Sequence, residues 1–154
     1  MDVKIRPAVS KDVEVIASFS RKLNAYLESI TEEKYSTNLS DYEHFVGRFL
    51  NSPEACVLVA EVDGKVVGHV IVSIKNLREW ELEKREGYVE DLFVEDDFRN
   101  NGIGSMLLDA GVLWCKNNGL NLLSLNVSVK NETAFALYQS AGFKAHGFAM
   151  TKEL

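Results

Sequence analysis

A mixed α/β sheet with helices on both faces is the fold this sequence predicts, and three features predict it. CVLVAEV and KVVGHVIVSI are β-branched runs joined by Asp63-Gly64. Tyr88 to Val94 is a strand-like run that leads through a glycine-containing turn into a helix, and segments of helical periodicity alternate with the strands. The 154 residues, 46% apolar and 26% charged, suit one compact unit over 1–154 with a single core.

Val3 to Arg6 reads as a short strand ended by Pro7. Ser10 or Asp12 can cap a first helix carrying Val13, Ile16, Ala17, Leu23, Tyr26 and Leu27 on one face. The polar stretch from Glu28 to Leu39 breaks that pattern and reads as a loop. A second helix follows, with Asp41 near its start and Phe45, Val46, Phe49 and Leu50 on one side, and Asn51-Ser52-Pro53 stops it. Asp63-Gly64 is the strongest short-range hairpin signal, so the two runs around it should pair antiparallel.

Leu77 to Glu86 is charged and reads as exposed. GYVEDLFV carries apolar residues at both parities, which predicts a strand covered on both faces. Ile103, Met106, Leu107, Ala110, Gly111 and Trp114 recur at helical spacing, and Asn117-Asn118-Gly119 ends that helix. LNLLSLNV is then a strand reached by a helical crossover, which favours parallel pairing. Asn131 can cap a last helix with Ala134, Leu137, Tyr138 and Ala141, closed by Gly142, and the tail from Phe143 to Leu154 can supply one or two edge strands.

Composition narrows the function classes. Two cysteines, Cys56 and Cys115, offer neither a disulfide framework nor a CxxC site and read as packing residues. The opening MDVKIRPAVS lacks the apolar core of a secretory signal, and no stretch approaches the ~20 apolar residues of a membrane span. A cytoplasmic protein with no membrane partner is expected. Seventeen basic against 23 acidic residues give a net charge of −6 with the basic side chains scattered, which argues against nucleic acid and mildly favours a cationic partner. The three histidines show no HxxxH or HExxH spacing, so no metal is expected; His69 reads as a core or edge residue or as lining a cleft.

The chemistry is concentrated after the strand at Tyr88–Val94. Arg99-Asn100-Asn101-Gly102-Ile103-Gly104 opens a helix, where N–H groups are unpaired and the helix dipole is positive. Gly102 and Gly104 leave room for an anion to approach, and Arg99 adds a charge suited to phosphate. A plain, tightly packed helix start would use similar residues. The lysine and hydroxyl of GxxxxGK[ST] are missing, and GxGxxG fails at Leu107, so neither an NTPase loop nor a dinucleotide turn fits.

YVEDLFVEDDFRNNGIGSMLL resembles motif A of the GCN5-related N-acetyltransferase (GNAT) family, whose core is [QR]xxGx[GA]. NETAFALYQSAGF resembles the NxxAxxLYxxxGF element that follows it. The resemblance covers roughly the C-terminal half and implies a central, largely antiparallel mixed sheet. It implies that the backbone N–H groups of Arg99, Asn100, Asn101, Gly102, Ile103, Gly104 and Ser105 hold the pyrophosphate of acetyl-CoA, the cosubstrate. It further implies that the pantetheine arm runs along Leu92, Phe93 and Val94, where a bulge opens the strand from its neighbour, with the Leu92 N–H as an oxyanion contact.

By the same resemblance Asn131 touches the cofactor arm, although it serves equally as a helix cap, and Tyr138 sits beside the thioester sulfur as a proton donor. Glu90 is the candidate general base, or else a structural salt bridge; Asp91, on an ideal strand, points to the opposite face. Without a placeable Ser/His/Asp or Cys/His set, direct attack by a primary amine of a small molecule or protein in a ternary complex is favoured over an acyl-enzyme. A non-catalytic acyl-CoA sensor is the alternative, and a homodimer is possible. The acceptor should enter near residues 28–39 and Trp80, in a pocket that Tyr26, Tyr35 and Trp80 can shape.

Overall fold

The computed structural model describes all 154 residues. Five strands form one sheet in the order β1-β2-β3-β4-β5: β1 (Val3–Pro7), β2 (Ala55–Val62), β3 (Lys65–Asn76), β4 (Arg85–Val94) and β5 (Leu123–Leu125). The first four run antiparallel to their neighbours, and β5 joins β4 in parallel. The helices are α1 (Val13–Ile30), α2 (Leu39–Leu50), α3 (Ile103–Asn117) and α4 (Glu132–Ser140). The mixed, mostly antiparallel sheet and its flanking helices match the expectation.

Local chemistry accounts for the turns. Asp63 and Gly64 both take positive φ, 50° and 78°, the geometry that a two-residue hairpin needs to follow strand twist. Helix α1 runs further than its polar C-terminal residues suggest, taking in Glu28 to Ile30 before the loop begins. Two apolar clusters cover the sheet. On one face Ile103, Leu107, Leu108 and Cys115 of α3 pack on Val70, Val72 and Val89; on the other Ile16 and Ala17 of α1 and Tyr42 and Val46 of α2 pack on Val57, Val59 and Ile71.

The tail departs from expectation: residues 143–154 form no strand. Phe143 and Ala145 share one parity, but Phe148 and Met150 share the other, so the apolar stripe breaks at Gly147 and no single strand can bury both halves. β5 is also only three residues long and offers little edge to extend.

Candidate active site

One irregularity in the sheet builds the site. Across β3 and β4, Ile71 pairs with Asp91 and Val72 with Val89, so one step on β3 answers two on β4 and Glu90 is the extra residue of a β-bulge. Before the bulge, odd-numbered β4 side chains face α3: Val89 packs in that core, and a Cβ on Gly87 would overlap the Cys115 sulfur. After it the parity inverts. Phe93 stacks on Phe19 of α1, and Leu92 and Val94 pack on the α3 side.

Asp91 therefore lies on the α1 face beside Glu90, and the ideal-strand expectation for it is corrected. Both carboxylates line a cavity of about 300 Å³ together with Ser20 and Asn24 of α1, Ser36, and Asp41, Tyr42 and Phe45 of α2. Each is held by one oxygen. Glu90 Oε1 accepts from Ser73 Oγ at 2.6 Å and lies 3.2 Å from Lys75 Nζ. Asp91 Oδ2 accepts from Ser20 Oγ and is 2.9 Å from Nε2 of His69. No hydrogen bond reaches Glu90 Oε2 or Asp91 Oδ1.

His69 is a core residue, 0% exposed, stacked against Phe19. The cavity wall opposite the carboxylates is tied together by Tyr42, whose hydroxyl donates to the Ser36 carbonyl at 2.6 Å and accepts from Asn24 Nδ2 at 3.2 Å. Sequence reasoning chose other aromatics. Trp80 is 77% exposed and stacks only on Arg78, Tyr26 is exposed, and Tyr35 lines an adjoining cavity with Arg21, Lys22 and Glu28. Ser20, Asn24 and Tyr42 went unnoticed as site residues. A serine on the buried face of α1, four residues after Ile16, was the available signal.

Past the bulge β4 opens. Its pairing with β5 covers only Gly87 to Val89, so from Glu90 to Val94 that edge has no neighbouring strand. The chain then passes through a short turn at Asp96–Phe98 into α3. Asn100 and Gly102 take positive φ, 61° and 76°, and with no side-chain cap the N–H groups of Gly102, Ile103, Gly104 and Ser105 have no hydrogen-bond partner in the protein. A Cβ on Gly102 would meet nothing within 4 Å, so the residue is required by its left-handed backbone.

Gly104 has a different reason than anion access. Its missing Cβ faces Leu137 of α4 at 3.3 Å and Val94 at 3.9 Å, so it permits close packing of α3 on its neighbours. Arg99 is fixed across the turn: Nε donates to the Val94 carbonyl at 2.9 Å, and the guanidinium lies 2.9 Å from Asp96 and over the Phe93 ring.

Asn131 caps α4, its side chain accepting from the Ala134 N–H at 3.3 Å. Tyr138, on α4, packs edge-on against Phe143. Burial, with a smaller contribution from the Asp91 charge, pushes its phenol up to about 12, so it stays protonated at neutral pH. No group of three or more His, Cys, Asp or Glu side chains is close enough together to hold a metal ion. No helix is long and apolar enough to cross a membrane.

Comparison with known proteins agrees with this architecture. The chain is 35% identical over 106 residues to an N-alpha-acetyltransferase of Sulfurisphaera tokodaii, a match covering 66% of this chain and 64% of that one. It is 26% identical over 149 residues to the Escherichia coli L-amino acid N-acetyltransferase AaaT, covering 95% and 85%. Its match spans only 38% of the length of a Methanocaldococcus jannaschii N-acetyltransferase. The fold superposes on the crystal structure of a predicted acetyltransferase with acetyl-CoA from Clostridium acetobutylicum at a TM-score of 0.81 and 20% identity, covering 99% and 96% of the two chains. The sequence model of the acetyltransferase (GNAT) family matches residues 21–143, which takes in the C-terminal half of α1, the bulged β4, the glycine turn and α4; this chain belongs to that family.

Proposed function

We propose that residues 1–154 form a single N-acetyltransferase domain that moves an acetyl group from acetyl-CoA to a primary amine by direct attack in a ternary complex. One juxtaposition carries this reading: four unpartnered N–H groups stand at the end of the open β4 edge, and two half-free carboxylates stand at its bulge. The first feature suits a diphosphate and the second an ammonium.

The Arg99 N–H, expected in the cradle, is already donated to the Asp96 carbonyl at 3.2 Å, so the N–H groups of Asn100 to Ser105 bind the pyrophosphate of the cosubstrate and Arg99 adds only its side-chain charge; the free edge at Leu92, Phe93 and Val94 pairs with the amides of its arm. The Leu92 N–H stabilises the oxyanion that forms when the amine nitrogen bonds the thioester carbon. Glu90 takes the proton from the amine. Tyr138 donates to the sulfur as the C–S bond breaks. A phenol at about 12 is a weaker acid than a thiol of ~8.5, so full proton transfer is uphill and Tyr138 acts as a hydrogen-bond donor to the thiolate. Asn131, already capping α4, contributes its amide N–H₂ to the arm.

The test is titration with acetyl-CoA by calorimetry, then assay of free thiol over a panel of primary amines. Binding with thiol release dependent on one class of amine is expected. Absence of binding overturns the reading; binding with turnover of no amine shifts it to an acyl-CoA sensor.

A further inference from the structure

We propose that His69 is a positioning residue for the transfer: with Ser20 it locks Asp91 so that the free carboxylate oxygen holds the acceptor as an ammonium beside Glu90. This rests on the reading above and adds how the acceptor is held.

The Asp91 side chain is only 7% exposed, and no lysine or arginine pairs with it; among the ion pairs its sole partner is His69. A carboxylate so buried is costly without a countercharge. His69 does not supply one. Its Nδ1 is buried without any partner, so a protonated ring would strand a charged donor in the core. The neutral tautomer with its hydrogen on Nε2 gives Asp91 a donor and leaves the carboxylate charge intact.

The geometry then points outward. Oδ2 is occupied by Ser20 and His69, Oδ1 is free, and the residue lines the cavity. Ser20 comes from α1 and His69 from β3, two packed elements, and the His69 ring is stacked 6.0 Å from Phe19, so Oδ2 of the carboxylate is held from two sides by positioned donors. Glu90 is tied by Ser73 and Lys75, which leaves its own second oxygen open to the same space. The countercharge missing from the protein is the one a protonated amine brings, and the bulge sets the proton-accepting carboxylate next in sequence to the one that docks it.

The experiment compares wild type with His69→Phe, which keeps the ring and its stacking but removes the donor, and with His69→Gln, whose amide N–H reaches the place of Nε2. Loss of a hydrogen bond to a charged group predicts roughly tenfold or greater rise in acceptor KM for His69→Phe. The acetyl-CoA KM should stay within about twofold, and His69→Gln should recover most of the loss. Binding of propylammonium, followed by NMR at the Glu90 and Asp91 amides, gives the same comparison without turnover and includes Asp91→Asn. Equal affinity in all four proteins overturns the inference, whether or not transfer is seen; absence of turnover by a wild type that binds the probe overturns only the catalytic reading. A lowered melting temperature with unchanged acceptor KM also overturns it. If His69→Phe does not fold, Ser20→Ala removes the other donor to Oδ2 and must itself raise the acceptor KM.

Discussion

Replacing Glu90 by glutamine tests where the amine's proton goes. A lysine-like ammonium has a pKa of ~10.4, so presenting it as a free amine at pH 7 costs about 4.6 kcal/mol at 1.36 per unit. General-base catalysis contributes about 10²–10⁴-fold, or roughly 2.7–5.5 kcal/mol, enough to cover most of that cost. The amide of Glu90→Gln keeps the side-chain shape and can accept from Ser73 Oγ, which lies 2.6 Å from Glu90, but it cannot take a proton. At pH 7, kcat/KM for the amine should fall about 10²–10³-fold while acetyl-CoA affinity is unchanged. The variant then depends on amine deprotonated in solution, so its rate should rise about tenfold per pH unit and approach wild type near pH 10. Thiol-release assays from pH 6 to 10 read this directly. Parallel pH profiles for the two proteins, or a loss below about fivefold, would refute Glu90 as base and leave it as the salt-bridge partner of Lys75.

Other outcomes follow from the same structure. Tyr138→Phe should lower kcat by about tenfold or less with little change in either KM, because the departing thiolate is stable without full protonation; stopped-assay kinetics measure it. The Arg6 hydrogen bond holds the buried Asp12 carboxyl below its ordinary range. That stabilisation is present above the unfolded carboxylate pKa and is lost as pH falls through the folded one. Asp12→Asn should therefore cost about 3 kcal/mol near neutral pH, roughly 6–12 °C in Tm, and this deficit should shrink in acid melts. Burial pushes the Cys56 thiol up to about 12 and raises that of Cys115, so neither should react with a thiol reagent at pH 8 until the chain is unfolded, when both should.

Much of the fold was legible because local chemistry dictated it. Asp63-Gly64 announced the hairpin through the positive φ that both residues adopt, and the spacing of Ile103, Leu107 and Gly111 announced α3. Gly102 marked the unpaired amides. The two-carboxylate site was harder to read, since the strand period sends Asp91 away from Glu90. Only the pairing of Ile71 with Asp91 and Val72 with Val89, a matter of register between separate strands, reverses it. Ser20 and Tyr42 escaped for the same reason: their roles come from how α1 and α2 pack over β4. Gly104 was recognised as necessary, but the contact it allows, Leu137, lies 33 residues along the chain and has no local signature.

Amide hydrogen exchange at Gly102, Ile103, Gly104 and Ser105, with and without CoA, tests the central claim most directly. These groups have no partner in the protein, so they should exchange rapidly when free and slow by about tenfold or more when a diphosphate occupies them. Pantetheine, which lacks the diphosphate, should leave them unprotected. Unchanged exchange at all four amides under saturating CoA, or equal protection by pantetheine, would contradict the account.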